Sequence, residues 1–465
     1  KTALIDREQH AINDMRHAPL SKYNAIEPEL DPLDPGYVVV VDQTAGDASV
    51  RASGADAARF KEMLVFAQTE HPGAPILIKT HPETASGHRA GHFTKADEGP
   101  RVTLYDAPIS PWRLFEGARA VYPVSSGLGF EAIFAGLKPR VFGQPFYAGW
   151  GLTQDENPVP RRQRRLTRAQ LFAAAMILYP TWYDPHGDRL CELEAVLGAL
   201  AARARAWRED RDGWVASGMR LWKRRHIAQF YGTVRAPVFE DDPTKAAARG
   251  RPQMVWASKA AGDATTALRC EDGFLRSRGL GAELIPPLSL VLDDLGIYYD
   301  PSRESRLERL IAASPKLPDG ALARAAKLRE ALIRARVSKY NLQGARLDLP
   351  PGPKVLVPGQ VEDDASILRG TDAVSTNIAL LQAARDARPD AVIIYKPHPD
   401  VETGLRTGAV PDDALAKLAT IVARNADPIA LIDACEEVWT MTSLLGFEAL
   451  LRGTAVTCLG TPYYA

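Results

Sequence analysis

The feature that most constrains this 465-residue chain is that much of it is written twice at one spacing. Gln360, Asp364, Lys396 and His398 follow Gln43, Asp47, Lys79 and His81 at one constant offset. Downstream, Ser443, Gly446, Phe447, Glu448 and Tyr464 keep that distance from Ser126, Gly129, Phe130, Glu131 and Tyr147. Upstream, Ser338-Lys339-Tyr340-Asn341 follows Ser21-Lys22-Tyr23-Asn24 at the same offset. A register held so long without a net gap is a tandem duplication, and its period belongs to whole domains rather than to solenoid or propeller repeats.

Within each copy the pattern is strand, loop, helix. Tyr37-Val38-Val39-Val40-Val41 is a continuous β-branched run, expected to be a parallel strand buried on both faces. Pro75–Lys79 and Ala120–Val124 read as further strands, ending at a His81-Pro82 turn and at Ser125-Ser126-Gly127. In the second copy, Gln253–Trp256, Ala267–Arg269, Leu288–Asp294 and Lys354–Val357 read the same way. The expected class is α/β, doubly wound, with ligands at the carboxyl ends of the strands. A complete module reads as two Rossmann-like halves around a cleft. The expected organisation is the donor-binding half of a first module over 1–155 and a basic helical crossover over 156–235. The second module then follows, with its acceptor-side half over 236–345 and its donor-binding half over 346–465.

Two observations bear on the ends of the chain. It opens on Lys1, and it stops at Tyr464-Ala465 where the first copy runs on through Gly149-Trp150-Gly151. By the same offset, the counterpart of Glu271–Arg278 falls ahead of residue 1. The expectation is a fragment of a longer chain, cut at both ends. The 57 basic and 57 acidic residues balance, so bulk charge points to no polyanionic partner. Four scattered cysteines without a CxxC pair argue against a disulfide framework or zinc site and fit a reducing cytoplasm. No apolar run approaches the roughly 18 residues of a membrane span. Arg161, Arg162, Arg164, Arg165 and Arg168 read either as the solvated face of packing helices or as a basic surface for an anionic leaflet. Nucleic acid is not expected, because no aromatic platform interleaves the arginines.

The chemistry-bearing residues gather at the strand ends. Ser125-Ser126 and Thr442-Ser443 lie between a strand and a helix, where they bind phosphate or simply cap the helix. Glu131 and Glu448, one turn further on, suit the hydroxyls of a ribose or are ordinary helix glutamates. Lys79, His81, Lys396 and His398 suit a phosphate or a sugar carboxylate, or are surface-turn residues. Asp47 and Asp364, each four residues after Gln43 or Gln360, are candidate nucleophiles at an anomeric carbon or aspartates of an Asx turn. Glu271 and Asp272 are candidate bases for an acceptor hydroxyl. Arg276 and Arg278 either contact an anionic acceptor or pair with those carboxylates, and Lys259 is grouped with them as acceptor-binding. No spacing of His, Asp and Glu suggests a metal, and none is expected.

Glu271-Asp272-Gly273-Phe274-Leu275-Arg276-Ser277, the paired Q-x-x-x-D-x-S loops, the paired K-x-H-P turns, S-x-x-G-F-E-A and Pro145–Thr153 together resemble the KpsC family. These are dual-module capsule polysaccharide β-Kdo transferases of Gram-negative bacteria. The resemblance covers nearly the whole chain. It implies tandem GT-B glycosyltransferase modules that use CMP-Kdo without a metal cofactor. They would act on a Kdo-primed (lyso)phosphatidylglycerol at the cytoplasmic face of the inner membrane, beside capsule biosynthesis and export proteins. By the same resemblance, Asp47 and Asp364 are nucleophiles of a retaining double displacement. His81, His398, Lys79 and Lys396 would contact the donor's carboxylate and phosphate, and Ser126, Ser443, Glu131 and Glu448 the CMP. A nucleotide-sugar epimerase of GT-B fold and a non-catalytic assembly scaffold are the rival readings.

Overall fold

The computed structural model describes residues 2–28, 30, 34–260, 266–280, 283–317, 319–342 and 344–465, and the chain divides into two compact units, Lys1–Glu209 and Asp210–Ala465. In the first unit, β1 (Tyr37–Val41), β2 (Ile76–Lys79), β3 (Val102–Tyr105) and β4 (Ala118–Tyr122) form a parallel sheet in the order β3-β2-β1-β4. The run of β-branched residues in β1 follows from its position, because both of its faces are covered. Val38 and Val40 pack with Phe60, Met63 and Ala67 of the helix Ala57–Glu70. Tyr37, Val39 and Val41 pack with Leu114, Phe115 and Ala132 on the other side. Enclosing each valine is worth about 1.5–3 kcal/mol relative to leaving it in water. A further core joins the helix Thr2–His17 to Gly127–Phe134, Arg168–Phe172 and Leu193–Asp210.

The second unit holds two sheets. One contains β5 (Val215–Ser217), β6 (Val238–Phe239), β7 (Gln253–Trp256), β8 (Leu268–Asp272) and β9 (Leu290–Asp293), in the order β6-β5-β7-β8-β9. Only β9 runs antiparallel to its neighbour. The other is fully parallel and contains β10 (Lys354–Pro358), β11 (Val392–Lys396), β12 (Ile421–Val422), β13 (Glu437–Thr440) and β14 (Ala455–Cys458), in the order β12-β11-β10-β13-β14. The strands β10 to β13 repeat the order of β1 to β4, and β10 stands at the repeat offset from β1. The helix Asp319–Arg334 repeats Thr2–His17 at the same displacement. The duplication is therefore one of topology as well as of sequence. The second unit has the two Rossmann-like halves of a GT-B module, and the first unit has the equivalent of one of them.

One boundary differs from expectation. The segment 156–235, read as a helical crossover, contains β5, which pairs with both β6 and β7. The first half of the second unit therefore starts at Asp210 rather than at 236. The local reason is Gly213, whose φ of +70° ends the Ala/Arg-rich helix and sends the buried run Trp214-Val215-Ala216 into the sheet. In the arginine cluster, Arg162 donates to the carbonyls of Pro145 and Ala148, and Arg168 to that of Gly136. Arg161, Arg164 and Arg165 remain exposed. Among the described residues, no helix is long and apolar enough to cross a membrane.

Candidate active site

The loops that follow β10, β11 and β13 meet at one edge of their sheet, as the parallel topology requires. Gln360, at the end of β10, is buried. Its Oε1 accepts from the N–H groups of Met441 (3.2 Å) and Thr442 (3.0 Å) and from Thr440 Oγ1 (3.1 Å), while its Nε2 donates to Thr442 Oγ1 (2.9 Å). Gln43 does the same in the first unit, accepting from Ser125 N at 2.9 Å and donating to Ser125 Oγ at 3.1 Å. An amide supplies an acceptor and a donor from one group, which suits a staple between two loops. Gln43, Ser125, Gln360 and Thr442, expected to bind the donor, thus find their partners within the protein.

Asp364 caps the helix Ala365–Gly370, with Oδ1 accepting from Ser366 N (3.0 Å) and Ser366 Oγ (2.8 Å). Asp47 caps Ala48–Ala52 through Ser49 N at 2.8 Å. Burial alone would raise the Asp47 carboxyl, but the Ser49 hydrogen bonds, with Lys22 and Gln43, hold it below the ordinary carboxylate value. The Asx-turn reading and the nucleophile reading are compatible, since the cap uses one oxygen.

His398 Nδ1 accepts from Asp400 N at 3.1 Å and His81 Nδ1 from Glu83 N at 3.2 Å, each capping the short helix that follows its His-Pro turn. An Nδ1 that accepts a backbone N–H places the proton of a neutral ring on Nε2. Burial, aided by Lys339 and Lys396, lowers His398 to about 4, so near neutral pH it is an uncharged N–H donor. The neighbouring lysines both contact backbone carbonyls, and Lys396 also lines the cleft with His398. Lys79 Nζ donates to the carbonyls of Ala107 (3.0 Å), Tyr105 and Thr80 (both 3.4 Å), and burial lowers it to about 8. Lys396, also buried and lowered for that reason, reaches the carbonyl of Pro397.

Ser126 and Ser443 cap the helices Gly127–Phe134 and Leu444–Arg452, each Oγ accepting at 3.2 Å from the N–H two residues on. Behind them, Tyr147 and Tyr464 donate to the carbonyls of Ser126 and Ser443. Glu131 and Glu448, expected at a ribose, are buried and each holds a loop, and Glu448 also lines the cleft. Glu131 Oε1 accepts from Ser21 Oγ (2.8 Å) and Lys22 N (3.4 Å), and Glu448 Oε1 from Lys339 N (2.8 Å). Burial pushes both carboxyls up to about 7.

On the other side, Glu271 and Asp272 end β8. Burial, together with the charges of Asp272 and Asp364, pushes Glu271 up to about 7 against the opposing pull of the Asp272 N–H and Lys223. Asp272 is held by Arg276 Nε at 2.8 Å, and Arg276, only 2% exposed, also donates to Ser277 Oγ and the Ile285 carbonyl. Arg276 is thus the carboxylate's partner rather than an acceptor contact. Arg278 is exposed and not part of the cleft wall, while Lys259 lies exposed at its rim. Lys223, lowered to about 8 chiefly by burial, stands over the ring of Trp256 in the same wall. Nothing marked it in the sequence, because its helix Leu221–Tyr231 lies inside the presumed linker.

These residues surround a cleft of about 1340 Å³ that Glu271, Asp272, Lys339, Asp364, His398 and Ser443 all line. Phe274 stacks on Tyr463 within it, with centroids 4.6 Å apart. Among the described residues no group of three or more His, Cys, Asp and Glu is placed to hold a metal ion. The described residues of the first unit carry counterparts of Gln360, Asp364, His398 and Ser443 but none of Glu271 and Asp272.

A family model described as "Capsule polysaccharide biosynthesis protein" matches residues 3–181, 248–349 and 336–465, so both copies of the repeat are matched. The capsule polysaccharide modification protein LipA of Neisseria meningitidis serogroup B (strain ATCC BAA-335 / MC58) is 38% identical over 477 residues, which cover 98% of this chain and 67% of that protein. The lipopolysaccharide-processing protein LpsZ of Rhizobium meliloti is 46% identical over 202 residues, covering 42% of this chain and 46% of that protein. Two solved structures from Thermosulfurimonas dismutans are also similar. KpsC, β Kdo 2,4 transferase, has a TM-score of 0.41 at 36% identity, over 43% of this chain and 64% of that one. KpsC, β Kdo 2,7 transferase, has a TM-score of 0.44 at 35% identity, over 54% of this chain and 80% of that one. With both copies matched and a relative 38% identical across 98% of this chain, the chain belongs to the capsule polysaccharide biosynthesis protein family.

Proposed function

We propose that this chain is a retaining glycosyltransferase that moves Kdo from CMP-Kdo to a Kdo-primed (lyso)phosphatidylglycerol acceptor at the cytoplasmic face of the inner membrane. The carrying observation is the pairing, in one cleft, of the Asp364 carboxylate with a Glu271 carboxyl raised to about 7. In the first step Asp364 attacks the anomeric carbon, and the bond to the phosphate oxygen breaks with its electron pair leaving on CMP. The N-terminus of Leu444–Arg452 and the neutral Nε2–H of His398 meet the charge that develops on the departing phosphate. In the second step an acceptor hydroxyl attacks the same carbon, its proton passes to ionised Glu271, and Asp364 is released. Two inversions give net retention. A carboxyl near 7 suits a general base at neutral pH better than one near 4. The first unit would run the same chemistry with Asp47, His81 and Ser126 on the donor side.

The test uses full-length protein with CMP-Kdo generated in situ and a synthetic β-Kdo acceptor, with products read by mass spectrometry. Wild type is expected to extend the acceptor, and Asp47→Asn and Asp364→Asn each to lose one linkage-forming activity. Failure of wild type to extend the acceptor overturns the reading. Isomerised sugar without transfer would favour an epimerase.

A further inference from the structure

The repeated Ser338-Lys339-Tyr340-Asn341 segment has no role in the chemistry so far, yet its backbone is held at several points. The Lys339 carbonyl accepts from the N–H groups of Arg276 (2.9 Å) and Ser277 (3.2 Å), and the Tyr340 carbonyl from Gly279 N (2.8 Å). Ser338 N donates to Asn341 Oδ1 at 3.0 Å, Asn341 Nδ2 donates to the Ser277 carbonyl at 3.0 Å, and Lys339 N donates to Glu448. The loop thus spans the acceptor-side Glu271–Ser277 stretch and the donor-side helix, and its Lys339 and Tyr340 line the cleft. Tyr340 stands edge-on to His398 at 6.4 Å, as Tyr23 does to His81 at 5.5 Å. The ammonium of Lys339 lies 5.1 Å from the Tyr340 ring, and that of Lys22 lies 5.1 Å from the Tyr23 ring. Of the lysines in the K-x-H-P turns, Lys79 donates to backbone carbonyls, while Lys396 lines the cleft with its Nζ 3.4 Å from the Pro397 carbonyl.

We propose that Lys339, and Lys22 in the first unit, is the ammonium that holds the sugar carboxylate of the donor, presented by the Ser-Lys-Tyr-Asn loop beside the nucleophile and the imidazole. Lys339 is half-buried at the cleft wall and Lys22 is exposed, so an entering anionic sugar can reach either ammonium. Against the lowering effect of burial, Tyr340, Asp364 and Asp272 raise Lys339, so it is held as an ammonium that an entering carboxylate can meet. Glu448 acts at one remove, by fixing the Lys339 backbone. This inference rests on the transferase reading, and it moves the sugar-binding cation from Lys396 to Lys339.

Binding and turnover are measured separately on full-length protein, as wild type and as Lys339→Met, Lys339→Arg and Lys396→Met. Binding of free Kdo and of CMP is followed by titration calorimetry, and turnover with CMP-Kdo by initial rates. Lys339→Met is expected to weaken Kdo binding at least tenfold while leaving CMP binding within twofold, and to raise the donor KM more than it lowers kcat. Lys339→Arg should recover part of the loss, and Lys396→Met should leave Kdo binding within twofold. Kdo binding that Lys339→Met leaves unchanged, or that wild type lacks, overturns the assignment. Wild type that binds Kdo through Lys339 but transfers nothing leaves the assignment standing and overturns the transferase reading.

Discussion

At the scale of single residues, the glutamates separate into two kinds. Glu131 and Glu448 are structural clamps whose carboxyls are raised from 4.5 to about 7 because they are buried. A raised carboxyl contributes stability that is full below its unfolded value and is lost as pH rises through its folded value. The window is therefore about pH 4.5 to 7, and the protein is expected to be more stable at its acid end as far as these two groups decide. Glutamine keeps the accepting oxygen and removes the buried charge. Glu131→Gln should thus be near neutral at pH 5 and stabilising by up to roughly 3 kcal/mol at pH 8, read from denaturant midpoints. An equal effect at both pH values would contradict the clamp as described. Glu271 is the other kind, a raised carboxyl in the cleft, and the rate of the second unit should fall as pH drops through about 7. Glu271→Gln should remove that limb along with most of the rate. A profile flat from pH 6 to 8 would contradict the base assignment.

At the scale of elements, the side chains that start helices are also the ones proposed to carry the chemistry, and substitutions can pull the two apart. Asparagine caps as well as aspartate, so Asp364→Asn should keep the start of Ala365–Gly370 and leave the thermal midpoint almost unmoved while transfer by the second unit is lost. Asp364→Ala should lose transfer and, in addition, about 1 kcal/mol of stability. If the asparagine variant transfers sugar, Asp364 is a cap alone. Gly129 tests the seating of the Ser126 helix. A Cβ there would collide with the hydroxyl of fully buried Tyr147 and stand 2.8 Å from Pro123, and that hydroxyl donates to the Ser126 carbonyl. Overpacking of about 1–3 kcal/mol should outweigh the roughly 1 kcal/mol by which alanine is the better helix former, lowering the thermal midpoint for Gly129→Ala. A raised midpoint would show that Tyr147 can move.

For the whole molecule, the duplication was legible because it is carried by polar residues with specific structural tasks. The glutamine staple, the aspartate cap and the His-Pro turn all recur at the same offset. The parallel strands were legible where burial on both faces demands an unbroken apolar run, as in Tyr37–Val41. Val102–Tyr105, with one buried residue at an edge, carries no such run and does not declare itself. The strand Val215–Ser217 is three residues long and hidden behind a helical stretch, which displaced the boundary of the second unit and concealed Lys223. The direction in which side chains bond was not legible either. Nothing in the spacing distinguishes a lysine turned to carbonyls, as Lys79 is, from one turned to a ligand, or shows that Glu448 holds the Lys339 backbone. The central claim is that Asp364 takes the sugar covalently in a cleft where Glu271 must open the way for the acceptor. Its most direct test is intact-protein and peptide mass spectrometry of full-length Glu271→Gln incubated with CMP-Kdo. The account predicts one added Kdo residue on the peptide that contains Asp364, absent when Asp364→Asn is introduced as well. An unmodified Asp364 peptide in a protein that still transfers Kdo through the second unit would contradict it.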